Sequence, residues 1–368
     1  MNTFTLSSQA KKYAVLAVLL FAGTVGAEPY IAVRTGFKCS QCHLNKVGGG
    51  GRTEYGQAYT QYKLLMQQTQ GYVDSKTGGS LSSFSPKLND AVTIGANFRM
   101  EQSVASSQAT LPSEKTLANP EANLYVNVEL IKNFLSFYTD QNLTGGNRET
   151  WMMVRNLPLN SYVRVGKTLL PYGIRLVDDD AFIRTNVGYT YGNPDIAGEV
   201  GLEPGPFSAI VNATNSRLSG VGSITYRHFR VGGSYRTSLK NAQTQQFDAY
   251  GPFVGANYGR ITVMAEVDWI DRADLRSDTL PNLKQMAHFY EVNFLAMQGL
   301  NLKGTYEYFD RNTEVANRRD GQSRITTGVE VFPIQFIQLG LYYRYNKSIP
   351  QNDLENQDQI FGRALIFF

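Results

Sequence analysis

From about residue 88 to the C-terminus, apolar and polar residues alternate one by one. Val92, Ile94, Ala96, Phe98 and Met100 are interleaved with Thr93, Gly95, Asn97, Arg99 and Glu101. Leu124, Val126, Val128 and Leu130 alternate with Asn123, Tyr125, Asn127 and Glu129, and Ile261, Val263, Ala265, Val267 and Trp269 with Thr262, Met264, Glu266 and Asp268. The stretches Leu302–Tyr308, Ile325–Val331 and Leu339–Tyr345 repeat the pattern against Lys303, Glu307, Arg324, Glu330 and Arg344. A period of two means strands with one apolar and one polar face. The connections alternate short and long. Short ones lie at Lys132-Asn133, Pro158-Leu159, Glu203-Pro204-Gly205, His228-Phe229, Tyr258-Gly259, Gln298-Gly299 and Pro333-Ile334. Long ones include Ala105–Asn119, Leu170–Ile196, Arg272–Asn282, Arg311–Gly321 and Ser348–Asn356.

A soluble sandwich also alternates. Here the polar rows carry successive charges, as a wet lumen allows, and the apolar rows end in aromatics, as membrane girdles do. Counting strands between these connections predicts an all-β fold, a transmembrane antiparallel barrel of about 16 strands, an even number as bacterial barrels require. Short turns then face the periplasm and long loops the outside, and a barrel of that size encloses a space wide enough for an aqueous channel. The final row, Ile360, Gly362, Ala364, Ile366 and Phe368, ends in an aromatic residue.

Composition agrees with a lipid-facing surface: only 18% of residues are charged, and 22 are tyrosines. A formal net charge of +4 without a basic cluster argues against nucleic acid as a partner. Residues 1–27 read as a secretory signal: Lys11 and Lys12, an apolar run from Tyr13 to Ala22, and Val25-Gly26-Ala27 as a small-residue cleavage site, so that the mature chain starts near Glu28. The alternative, an uncleaved anchor, is disfavoured by the shortness of the apolar run. Residues 28–87 then form a small, mainly helical segment ahead of the barrel of 88–368.

The two cysteines lie in that segment, in Cys39-Ser40-Gln41-Cys42-His43. In an exported chain a cysteine pair suggests a disulfide, but C-x-x-C-H is the attachment pattern of c-type haem. Its thiols are spaced to bond the two porphyrin vinyl groups, and the adjacent His is held under the ring as proximal iron ligand. The bland reading is a structural or redox-active C-x-x-C with a chance histidine. Gly48–Gly51 reads as a flexible run. Thr53 to Gln68 reads as a helix with Tyr55, Tyr59, Tyr62 and Met66 on one face, available to the porphyrin. Met66 is the candidate distal ligand. Of the other histidines, His228 falls in a periplasmic turn and His288 on a lipid-facing row.

Together, a signal peptide, one early C-x-x-C-H and a barrel of about 16 strands resemble the fused monohaem cytochrome–porins, which include outer-membrane iron(II) oxidases. In sequence the resemblance rests mainly on Ala32–His43. The family's lead-in, Arg-Gln-Thr-Gly two residues before the first cysteine, is matched at Thr35 and Gly36, with Arg34 shifted by one. The resemblance implies one covalent haem on Cys39 and Cys42 with His43 as axial ligand, and electron passage across the outer membrane between a periplasmic carrier and an extracellular donor or acceptor such as Fe(II). It leaves direction and donor open. The alternative is a diffusion porin with a haem-bearing plug or redox-sensing segment, and a third reading is a soluble periplasmic haem protein. Asp178-Asp179-Asp180, in the longest connection, is a candidate cation site, a constriction if the loop folds inward, or a solvated turn. Inward arginines at 99, 155, 164, 344 and 363 either tune lumen selectivity or pair with lumen carboxylates. No nucleophile–base pair and no phosphate loop is present.

Overall fold

A computed structural model describes residues 28–79, 83–107, 114–117, 121–239, 247–272, 283–314, 320–349 and 356–368; the signal segment lies outside them. Antiparallel strands in chain order form one sheet that closes on itself, because the first long strand, Val92–Ser107, pairs with the last, Gln357–Phe367, from Asn97↔Phe367 to Ser107↔Gln357. Seventeen strand segments contribute, but two share one lane of the barrel. Glu114–Leu117 pairs with the outer part of the first strand and Glu121–Ile131 with its inner part, so the wall has sixteen lanes. The short connections are found to within a residue or two, with two hairpin turns at Arg227-His228 and Gly259-Arg260, one position away from the expectation, whereas the expected long connection Ala105–Asn119 contains the strand segment Glu114–Leu117.

Burial is inside out. Val200, Val211, Ile224, Val263, Val292, Ile325 and Leu341 are exposed, whereas Glu199, Asn212, Glu266, Glu291, Glu307 and Glu330 are buried. A soluble sandwich would place these two sets the other way round. The wall therefore shows its apolar face outward, where lipid takes the place of a core. Val292 is 51% exposed in the middle of this band, between Val263 and Gly304 on the neighbouring strands. A Val292→Arg change is expected to cost about 2–4 kcal/mol at the bilayer mid-plane. Urea unfolding in lipid vesicles checks it, and an unchanged midpoint would contradict a lipid-facing position.

The lumen is filled from two sides. The N-terminal segment enters from the periplasmic end; its helix Pro29–Thr35 packs on the strands Phe247–Tyr258 and Ile261–Arg272. The connection between the strands Ser161–Thr168 and Asp195–Leu202 folds inward from the opposite end. It is tied to the wall by Tyr172 OH donating to Asp268 Oδ1 at 2.9 Å, Ile174 N to Glu266 Oε2 at 2.6 Å and Phe182 N to Glu307 Oε2 at 2.9 Å. Tyr30 and Val33 of the segment join Leu170, Tyr172, Ile174, Phe182 and Ile183 of the connection in one apolar cluster, so the protein's core lies inside the barrel.

Candidate functional site

The N-terminal helix positions the cysteine motif. Pro29 starts it, where its missing N–H costs nothing. Glu28 and Tyr30 anchor it: the Glu28 carboxylate meets Lys303 Nζ at 2.9 Å, and Tyr30 OH donates to Glu330 Oε2 at 2.7 Å. Gly36 ends it in the left-handed region at φ 72°, and a Cβ there would lie 2.0 Å from the carbonyl oxygen of Arg227 in a periplasmic turn. Only glycine lets the chain turn this close to the wall. Thr35 caps the same turn by donating from Oγ1 to the Ile31 carbonyl at 2.7 Å. The Thr35-Gly36 pair thus has a local purpose, while Arg34 points elsewhere, to Asn301 Oδ1 at 2.9 Å.

The motif itself is a single helical turn, Cys39–Cys42, closed by His43 N donating to the Cys39 carbonyl at 2.9 Å. Lys38 and Ser40 fasten it to the turn at Glu203. Lys38 Nζ donates to the carbonyls of Glu203 (3.1 Å) and Phe207 (2.6 Å), and Ser40 Oγ to Glu203 Oε1 (2.7 Å). After His43 the chain doubles back, with Leu44 N bonded to Gly51 O at 2.9 Å and Thr53 N to Cys42 O at 3.1 Å.

The tip of this hairpin is the glycine run, and it is not a flexible linker. Gly48, Gly49 and Gly50 all have positive φ (93°, 80° and 64°) and are buried. The run threads between Tyr191 of the inward connection, 3.0 Å from where a Gly49 Cβ would stand, and Tyr138 of the wall, 2.6 Å from that of Gly50. Tyr138 OH accepts from Gly51 N at 2.9 Å, and Asn45 Nδ2 donates to Glu149 Oε1 at 2.7 Å. Glycine is required here by crowding and by backbone conformation together.

Cys39, Cys42 and His43 line one pocket inside the barrel. Its wall includes Tyr59, Thr60 and Leu64 from the following helix, Gly173, Ile174 and Arg175 from the inward connection, and Glu203 and Phe332 near periplasmic turns. Both thiols are free. Burial, with Cys39 next to it, pushes the Cys42 thiol up to about 11. Burial, helped by the Arg52 guanidinium, pushes His43 down to about 3, so its ring is neutral and keeps a lone pair. Two thiols and a neutral imidazole from one helical turn, lining one pocket, are the donor set that thioether attachment and iron ligation call for. Among the described residues no three His, Cys, Asp or Glu side chains gather as a site for a bare metal ion.

The remaining sequence candidates scatter. The expected helix over Thr53–Gln68 is two helices, Glu54–Tyr59 and Gln67–Thr77, joined by a π-turn at Thr60–Leu64 and a break at Leu65-Met66. The wider turn shifts the register, so the four residues share no face. Tyr59 lines the cavity, but Tyr55 and Tyr62 are 48% and 61% exposed. Met66 caps the second helix at the barrel rim, where its N donates to Phe332 O at 2.8 Å and its side chain abuts Gly299. Among the described residues no methionine lines the cavity. His228 sits in its turn, its Nδ1 2.8 Å from the Arg34 carbonyl oxygen, and His288 stacks on Tyr290 on the outer face. The aspartates belong to the constriction rather than to a cation site. Asp178 is bonded to Arg344 and lies 3.9 Å from Arg324, and Asp179 accepts from Tyr191 N at 2.9 Å. Burial alone would raise Asp178, but Arg344 and Arg324 hold it well below the carboxylate range. The other inward arginines also pair, Arg164 with Glu199 at 2.7 Å and Arg363 with Glu101 at 2.8 Å. Arg52 and Arg175 were not anticipated; an arginine beside a glycine run gives no sign of being buried.

No family model matches the chain, and no curated protein is similar to it. Solved outer-membrane barrels are. OmpT, an outer-membrane protein of Vibrio cholerae, aligns over 76% of this chain and 98% of its own with a TM-score of 0.57 at 11% identity. An anion-selective porin from Comamonas acidovorans covers 76% and 99% with 0.57 at 12% identity, and the outer-membrane channel DcaP of Acinetobacter baumannii 77% and 99% with 0.54 at 12%. The chain has the sixteen-stranded porin fold. With its outward apolar band, it is an outer-membrane protein. The soluble reading is excluded by the same two facts.

Proposed function

We propose that this chain is a porin-type outer-membrane barrel whose N-terminal segment is a plug carrying one covalent haem. One observation carries the reading: Cys39, Cys42 and His43 face a single cavity inside the lumen. Cys39 and Cys42 would hold the porphyrin through thioether bonds, with His43 as an iron ligand. Bound there, a haem supplies a one-electron Fe(III)/Fe(II) couple. The protein's part is to hold the motif against Glu203 and to keep His43 neutral. Met66, with its main chain fixed at the rim, would need that rim to move before it could serve as distal ligand.

Electron passage across the membrane, to or from an external partner such as Fe(II) and a periplasmic carrier, is a second reading with its own support. The cavity is bordered both by Arg175 of the connection that descends from the outer side and by Phe332 and Glu203 at the periplasmic end. A cofactor there would lie within the wall, between the periplasmic end and the connection that descends from the outer side, while the packed lumen obstructs solutes. The test is the protein in liposomes, oriented with its long loops outward. Reduction of a c-type absorption band by external Fe(II), together with low ionic conductance, is expected. Open-channel conductance with no redox response would favour a diffusion role for the barrel.

A further inference from the structure

We infer that Arg52 and Arg175 form the anion-binding side of this cavity and take the carboxylates of its occupant, which for a covalent haem are the two propionates. The inference rests on the haem reading above and adds to it the residues that recognise the porphyrin edge. Both arginines line the cavity, and both are buried, at 8% and 5% exposure. Neither has a carboxylate within ion-pair distance among the described residues. Arg175 spends one Nη2 bond on the Leu170 carbonyl at 2.9 Å, and its Nε and Nη1 are buried without a partner. Arg52 lies over the Phe367 ring at 4.3 Å, which covers one face of the guanidinium and leaves its edge for a ligand.

Other lumen arginines are paired, although Arg236, which also has no carboxylate beside it, donates to the Val187 carbonyl. Arg164, Arg324 and Arg363 each have a carboxylate of the wall within 2.8 Å. The carboxylates that line the cavity are already committed: Glu28 to Lys303 and Gln338, and Glu203 to Lys46 and Ser40. Arg230 adds a further cation, its Nη1 3.5 Å from Cys39 Sγ. A guanidinium stays protonated at neutral pH, so both Arg52 and Arg175 are cations. A buried unpaired cation is costly unless an anion arrives to meet it. A guanidinium fork matches a carboxylate in a bidentate way, and a porphyrin tethered at Cys39 and Cys42 through its vinyl edge brings two carboxylates on the other edge.

The experiment uses the full-length holoprotein in nanodiscs, with Arg52→Gln, Arg175→Gln and the corresponding Lys variants. Intact mass first establishes covalent haem in the wild type. If no haem is attached, the haem reading fails and this assignment fails with it. With haem attached, the wild-type midpoint potential is expected to stay flat between about pH 5 and 8, above the ordinary carboxylate range. Each Gln variant is expected to have a lower midpoint and to gain a pH-dependent slope, because its propionate is no longer held ionised; the Lys variants keep the flat profile. Gln variants with wild-type midpoint and a flat profile would overturn the arginine assignment and leave the haem reading intact. Should a Gln variant fail to mature, resonance Raman of the wild type decides. A propionate bending band unchanged over the same pH range supports the contact, and one that titrates like a solvated carboxylate overturns it.

Discussion

Replacing both Cys39 and Cys42 by alanine is expected to remove all haem that survives denaturation, while the barrel still folds and keeps its heat-modifiable mobility on gels. The two halves of this result have separate causes. Haem retention under denaturant depends on two covalent bonds, and both sulfurs are gone in the double variant. Barrel folding depends on the continuous antiparallel ladder and on wall pairs such as Arg164–Glu199, which no cysteine touches. Among the described residues, the polar contact of a cysteine sulfur with the wall is the 3.5 Å approach of Arg230 Nη1 to Cys39, too weak to matter to the fold. Single variants are informative as well: each keeps one thioether, so haem still resists denaturant and the reduced absorption band shifts. A wild-type protein whose colour is extracted by acid acetone would refute covalent attachment. A double variant that fails to reach the membrane would instead mean that the plug is needed for barrel assembly, and the single variants would then carry the test.

The barrel was legible because its signal is repeated in every strand. Alternation such as Ile261 to Trp269 follows from the pleat alone, and no tertiary contact is needed to read it. The inward orientation of Glu266 or Glu307 follows from the same parity. The motif was legible for a different reason, since the chemistry of C-x-x-C-H is confined to five consecutive residues. What lies between could not be read. The glycine run looks flexible by composition, and it is rigid because Tyr138 and Tyr191, distant in sequence, close on it. The helical face of Tyr55, Tyr59, Tyr62 and Met66 assumes an unbroken α-helix, and a π-turn at Thr60–Leu64 removes that assumption without any local warning. Asp178 had three readings until Arg344 and Arg324, from strands more than a hundred residues away, selected the constriction. Arg52 and Arg175 were invisible because their meaning is the lack of a partner, which only a folded lumen defines.

Lys303→Met is expected to release the plug. Lys303 Nζ is the cation shared by Glu28 at 2.9 Å, Glu330 at 3.2 Å and Glu291 at 3.5 Å, all of them buried. Glu330 also accepts from Tyr30 OH at 2.7 Å and from Tyr342 OH at 2.9 Å, so this cluster fastens the first turn of the N-terminal helix to four strands of the wall. Methionine fills much the same volume but leaves three buried carboxylates facing one another. Breaking a buried ion pair by removing one partner costs about 3–5 kcal/mol. In the docking equilibrium this amounts to about two to four powers of ten. The carboxylates can escape the penalty by taking up protons, or, with the barrel still intact, Glu28 can leave with its helix. The expected signs are a gain of ion conductance in planar bilayers and protease cleavage within residues 28–87, with barrel heat-modifiability unchanged. Lys303→Arg, which keeps the charge, is expected to stay closed. If Lys303→Met is as closed and as protease-resistant as the wild type, the cluster does not hold the plug, and the anchoring has to be sought in the apolar contacts of Tyr30 and Val33 with the inward connection.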